Sequence, residues 1–257
     1  MLKEILERLS RNYSFKRRLP SRFNYTPLYV SPDSQLKYLK LGENAFDADL
    51  LKIVDWYIDE DSIVWDIGAD VGVFTFASAS VAKKGYILAI EADIWLAGLL
   101  RKSLLLKENC ELNIEILPCA IANQDGIAKF LIAQRGRASN SLEITGSRSQ
   151  AGGIREKITV PTLKLDTLLD FFSPPNFVKI DVEGAEAIVL DGASRLLTEI
   201  RPTIYIEVGN KANKEVSSIL KQKDYLLFDG SKPIKEQKNI EYCTYNTLAI
   251  PKNRVST

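Results

Sequence analysis

Five apolar runs rich in Val and Ile dominate the sequence: SIVWDI (62–67), YILAIE (86–91), LNIEIL (112–117), FVKID (177–181) and TIYIEV (203–208). A strand that is apolar at nearly every position is buried on both faces. Segments of helical period at 74–83, 93–107, 184–198 and 213–223 punctuate these runs, so the chain crosses back over the sheet between strands. This predicts an α/β fold with a mostly parallel sheet and helices on both faces. Two further runs, YLLFD (225–229) and TYNTLAI (244–250), have no convincing helix between them and fit an antiparallel pair at the sheet edge, giving seven strands. The expected division is an N-terminal extension over 1–60 and the main domain over 61–257.

Composition removes several function classes. The 257 residues contain no histidine, so Ser-His-Asp and Cys-His nucleophiles, histidine zinc sites and a histidine general base are all excluded. Chemistry here must run on carboxylates, Lys, Tyr, Ser or backbone dipoles. With 34 Lys+Arg against 33 Asp+Glu there is no overall basic field to favour nucleic acid. No apolar run approaches the roughly 20 residues that cross a bilayer, and the opening MLKEILERLSRNYSFKRR lacks a signal-peptide core. Cys110, Cys119 and Cys243 have no metal spacing and fit reduced thiols, so a cytoplasmic location is expected. The sequence leaves the oligomeric state open.

Two stretches resist a simple reading. Leu2, Ile5, Leu6 and Leu9 share one helical face within a segment, 1–22, that carries seven basic and two acidic side chains; a short docking helix with a solvated basic side is expected, with a membrane-surface helix as the alternative. The stretch 134–157, QRGRASNSLEITGSRSQAGGIREK, has no period and a charge of +3, and reads equally as a flexible loop or a substrate lid.

The informative segment is VWDIGADVGVFTFASA (64–79), a strand ending in Asp66, a turn with Gly68 and Gly72, and a helix opening near Val73. Its glycines permit a tight turn and close approach to a ligand, and the helix N-terminus offers free N–H groups. The spacing is G-x-x-x-G, which is neither the dinucleotide fingerprint nor the P-loop. Asp66 before the turn would repel a pyrophosphate and attract an ammonium. Glu91, closing the second strand, stands where acids in Rossmann-like folds bind ribose hydroxyls. An amine-bearing tail, a ribose and no phosphate describe S-adenosylmethionine.

DIGADVG resembles the first motif of class I S-adenosylmethionine-dependent methyltransferases. VKIDVEGAEAIVLDGASRLLTEIRPTIYIEV (178–208) is similar to the FkbM branch, whose hallmark is D-V-E-G-A-E followed by V-L-x-G and a strand ending in Glu. The likeness extends from PLYVSPDSQLKYLKLG (27–42) to YNTLAIP (245–251). It implies a class I methyltransferase fold and O-methylation of a small-molecule or sugar hydroxyl in natural-product or glycan biosynthesis. It also implies cofactor contacts from Asp66, Gly68, Ala69, Asp70 and Gly72 at the methionine end, with Asp181 nearby. Glu91 and Ala92 would then meet the ribose, and Cys119 and Ala120 the adenine. Asp70 replaces the family's usual Asn, and Ala92 the usual Pro.

Ligands of open α/β sheets lie beyond the carboxyl ends of the strands. Asp181, Glu183, Glu186 and Glu207 gather there and are the candidate catalytic residues. Asp181 or Glu183 is the first choice of base for an alcohol proton, and crowding by like charges would raise its basicity. Glu186 reads equally as an ordinary first-turn helix acid. Mg²⁺ held by Asp181, Glu183 and Glu207 is the second choice. Ser173-Pro174-Pro175-Asn176 looks like the [DNS]-P-P-[aromatic] loop of nucleic-acid amino-methyltransferases, but it precedes its strand and ends in Asn, so a proline turn is expected and nucleic acid is not an expected partner. The acceptor expected is a small molecule or carbohydrate. The alternatives are an N-methyltransferase on the same fold and a non-catalytic S-adenosylmethionine-binding protein.

Overall fold

The computed structural model describes residues 7, 9–145, 152–233 and 238–255. The chain enters through an antiparallel hairpin, β1 (Phe15–Arg18) and β2 (Pro27–Val30), followed by helix α1 (Ala48–Tyr57). It continues through β3 (Ile63–Ile67), α2 (Val73–Val81), β4 (Tyr86–Ile90), α3 (Ile94–Leu104) and β5 (Ile114–Leu117). Strands β6 (Ala120–Ile121), β7 (Gly126–Ala133), β8 (Ser141–Leu142) and β9 (Ile154–Leu163) form a second sheet, ordered β6-β9-β7-β8. Then come α4 (Leu165–Leu168), β10 (Phe177–Ile180), α5 (Glu186–Asp191), β11 (Thr203–Glu207), α6 (Asn213–Gln222), β12 (Tyr225–Asp229) and β13 (Asn246–Pro251).

All seven predicted runs are strands of the central sheet, ordered β12-β13-β11-β10-β3-β4-β5. Only β13 runs against the others; it pairs with β12 at the sheet edge and lies between β12 and β11. The strands alternate their side chains between the two faces. Val64, Ile87 and Phe177 belong to one apolar cluster; Trp65, Leu88 and Val178 belong to the other. Leu19, Phe23, Leu28, Leu51 and Val54 of the first 60 residues share the first cluster, so the extension and the sheet have a common core.

Two expectations need correction. The stretch 134–157 is not a period-free loop where it is described, because β8 and the start of β9 lie within it and β7 pairs with β9 along Gly126–Ala133. The charged run Arg155-Glu156-Lys157 at the start of β9 masked its strand character. The helix expected over 184–198 stops at Asp191. Asp166 caps a new turn by accepting from the Arg195 and Leu196 N–H groups at 2.9 and 3.0 Å, which leads into a π-helical turn, Leu196–Ile200. The opening helix lies outside the described residues apart from Glu7 and Leu9. Among the described residues no helix is long and apolar enough to cross a membrane.

The Ser-Pro-Pro-Asn turn sits at the amino ends of the strands, away from the carboxyl edge. Asn176 Oδ1 accepts from the Ile63 N–H at 3.1 Å and the Ser173 carbonyl accepts from Trp65 Nε1 at 3.2 Å, so it buttresses β3. After β5 the chain returns to the other side of β3 to form β10. This reversal of strand order opens a crevice at the carboxyl ends of β3 and β10, where α/β sheets bind ligands.

Candidate active site

Strand register places Lys179 of β10 opposite Asp66 of β3 and Tyr205 of β11. Lys179 is 3% exposed and Asp66 is 0% exposed. The ammonium donates to Asp66 Oδ1 at 3.1 Å and to the Gly68 carbonyl at 3.0 Å, and stands 3.8 Å from Asp181 Oδ2. Thr75 Oγ1 donates to the other Asp66 oxygen at 2.6 Å. Burial alone favours the neutral amine, but Asp66, Asp181 and Glu207 outweigh it and hold Lys179 above the usual lysine range. Asp66 is therefore withdrawn from the cavity. Its carboxylate neutralises Lys179, and the expected direct contact with a ligand ammonium is not what this geometry provides.

The two glycines serve different neighbours. At Gly68 (φ +78°) a Cβ would stand 1.9 Å from the Asp181 carbonyl oxygen, so the turn after β3 can lie against β10 only without a side chain. At Gly72 (φ +91°) a Cβ would meet Leu100 Cδ2 at 2.5 Å, so this glycine lets helix α3 pack close against the turn.

Asp70 adopts the left-handed region (φ +52°), which Asp and Asn tolerate best among side-chain-bearing residues. Its N–H donates to Glu91 Oε2 at 2.8 Å, and the Asp93 N–H donates to Glu91 Oε1, also at 2.8 Å. Each Glu91 oxygen keeps a lone pair for a further donor. Ser34 of the extension donates to both Asp70 oxygens, at 2.7 and 2.9 Å. Burial pushes Glu91 up to about 8, with Asp70 and Asp93 adding repulsion, and pushes Asp70 up to about 6. Between the unfolded value of 4.5 and about 8, the native Glu91 binds more protons than the unfolded one. Stability of the free protein is therefore expected to be fullest below that window and to fall as pH rises through it. Glu91→Gln should remove about 1–3 kcal/mol of that fall, measured by urea unfolding at both ends of the window. An unchanged slope would contradict the assignment.

A cavity of about 320 Å³ runs along the carboxyl edge, within the usual range for small-ligand sites. Sheet order fixes its polarity. At the β5 side Cys119, Ala120, Phe130 and Leu142 make an apolar end, with burial pushing the Cys119 thiol up to about 12. Gly68, Ala69, Asp70, Glu91 and Ala92 line the middle. At the β11 side Asp181, Glu183, Glu207 and Tyr245 make a polar end. Burial and the neighbouring Asp181 push Glu207 up to about 7, although Lys179 and a hydrogen bond from the Tyr245 hydroxyl oppose this. Glu186 is not part of the lining. It is 2% exposed, and its Oε1 accepts from the Gly184 N–H at 2.7 Å as part of the turn opening α5.

Among the described residues no group of three or more His, Cys, Asp or Glu side chains is placed to hold a metal ion. The expected Mg²⁺ set of Asp181, Glu183 and Glu207 is thus not assembled; the positive charge amid these acids is Lys179. Lys179, Tyr245 and Arg137 all line the cavity, and none was singled out from sequence. The signal for Lys179 was available, since FVKI is a fully buried strand with one charge in it. Arg137 carried no such signal in a Gly/Ser/Arg-rich stretch.

The family described as the methyltransferase FkbM domain matches residues 66–227. Among solved structures, the FkbM methyltransferase from Methylobacillus flagellatus KT is 17% identical with a TM-score of 0.50, covering 75% of this chain and 44% of its own. This chain thus spans less than half of that protein. The precorrin-6y C5,15-methyltransferase from Geobacter metallireducens GS-15 is 15% identical with a TM-score of 0.45, covering 79% of this chain and 85% of its own. At 17% identity the first of these likenesses speaks to the fold alone. No curated protein sequence matches the chain. With the family's match spanning both the Asp66 turn and the Asp181–Glu207 edge, the chain belongs to the FkbM methyltransferase family.

Proposed function

We propose that this protein uses S-adenosylmethionine to methylate a hydroxyl oxygen of a small molecule or sugar. The observation that carries the reading is the polarity of the cavity: an apolar end, a carboxylate with two lone pairs to spare, then a cluster of acids around a basic Glu207. These residues fit the cofactor part by part. Cys119 and Ala120 would face the adenine, Glu91 the ribose hydroxyls, and Gly68, Ala69 and Asp181 the amino-acid end. Bound there, the cofactor supplies a methyl group activated by a sulfonium.

The chain's own task is then to orient the acceptor and take its proton. Holding the acceptor oxygen in line supplies much of the acceleration. We assign the base to Glu207 rather than to Asp181 or Glu183. A desolvated carboxylate near 7 is matched to proton removal at neutral pH. Asp181 lies 3.8 Å from the Lys179 ammonium and is held there as its ion-pair partner.

The test is calorimetric titration with S-adenosylhomocysteine. One saturable site is expected, weakened about tenfold or more in Glu91→Ala by loss of its hydrogen bonds to the ribose. Folded protein that binds nothing would overturn the reading. Binding followed by no transfer to any hydroxyl across a broad panel of sugars and alcohols would overturn the O-acceptor, and transfer to amines alone would replace it.

A further inference from the structure

We propose that Arg137 is a positioning residue for the ribose-facing carboxylate of Glu91, acting through Asp93; the inference rests on a nucleoside occupying the cavity as set out above. Arg137 belongs to the turn between β7 and β8, lines the cavity and is 6% exposed. Its Nε donates to Asp33 Oδ2 at 2.9 Å and its Nη1 pairs with Asp93 Oδ2. Its Nη2 donates to Asn12 Oδ1 at 3.3 Å, and the guanidinium lies over the Trp95 ring, 4.7 Å from the centroid. Asp33 and Asp93 are 4% and 1% exposed, so these pairs are out of solvent. Arg155 also pairs with Asp33 at 2.9 Å, and Asn140 Nδ2 donates to Asp93 Oδ2 at 2.8 Å.

Asp93 links this cluster to the cavity. One carboxylate oxygen takes Arg137 and Asn140; the other accepts from the Trp95 N–H at 2.9 Å and caps α3. Its own backbone N–H holds Glu91 Oε1 at 2.8 Å. The route from guanidinium to Glu91 is therefore a single residue long. A planar fork can satisfy Asp33 on one edge and Asp93 on another at once, whereas an ammonium is a point charge that cannot span both. One side chain thereby fixes three segments: the extension through Asp33, the start of α3 through Asp93, and the β7–β8 turn that carries it.

A residue that merely supported the fold would weaken every ligand alike. A residue that positions Glu91 alters the discrimination for ribose hydroxyls specifically. The experiment titrates S-adenosylhomocysteine and its 2′-deoxy counterpart onto wild type, Arg137→Lys and Asp93→Asn, the last keeping the N-cap and the backbone N–H. Wild type is expected to prefer the ribose form by about tenfold or more. Both variants should reduce that preference to about threefold or less, by weakening the ribose form while leaving the deoxy form nearly unchanged. An unchanged preference in folded variants, or equal weakening of both ligands, overturns the proposal. Wild-type protein that binds both forms equally overturns it too. Wild-type protein that binds neither removes the nucleoside reading itself, which separates the two failures. Should Arg137→Lys not fold, Asp93→Asn decides by the same ratio.

Discussion

Replacing Lys179 by methionine is expected to cost about 3–5 kcal/mol of stability, because it leaves a buried carboxylate without its counter-charge. Asp66 has no solvent access, and among the described residues its charge is balanced by the ammonium 3.1 Å away. The Thr75 hydroxyl, the other donor to Asp66, is neutral and cannot replace a cation. The companion variant Asp66→Asn with Lys179→Met should recover most of the loss, since neither position then carries a charge. Urea unfolding of wild type, single and double variants measures both quantities. Lys179→Met within about 1 kcal/mol of wild type would mean that the Asp66–Lys179 pair does not carry this stability. The double variant should also lose activity while folded, because Lys179 is the cation that faces Asp181 and Glu207.

Glu207→Gln is expected to reduce turnover by about 10²–10⁴-fold, the range usual for losing a positioned general base. Affinity for S-adenosylhomocysteine should be unchanged within about threefold, since Glu91 and Cys119 lie across the sheet from β11. The pH profile is the sharper readout. A base must be ionised to act, so wild-type kcat/KM should rise with pH and level off above an inflection near 7. Glu207→Gln should lose the inflection, and Asp181→Asn should shift it to lower pH, because Asp181 raises Glu207 by repulsion. A wild-type inflection that survives in Glu207→Gln would assign the base elsewhere.

The sequence by itself determined the seven strands, the four principal crossings and the sheet edge along which the cavity runs, because burial on two faces leaves a periodic record in neighbouring residues. It also identified Gly68, Glu91, Asp181 and Glu207 as residues of one strand edge, since each stands at or just beyond a strand end. It did not determine what the charged residues face. Asp66 looked like a ligand contact, yet its partner is Lys179, which lies 113 positions away. Arg137 sat in a stretch that looked structureless, and its partners Asp33 and Asp93 are 104 and 44 positions distant. Gly72 looked like a ligand glycine and proved to be one that Leu100 presses against. Only the tertiary structure decides such matters. Apolar burial is written locally, residue by residue, whereas the state of a buried charge depends on which distant counter-charge the fold delivers to it.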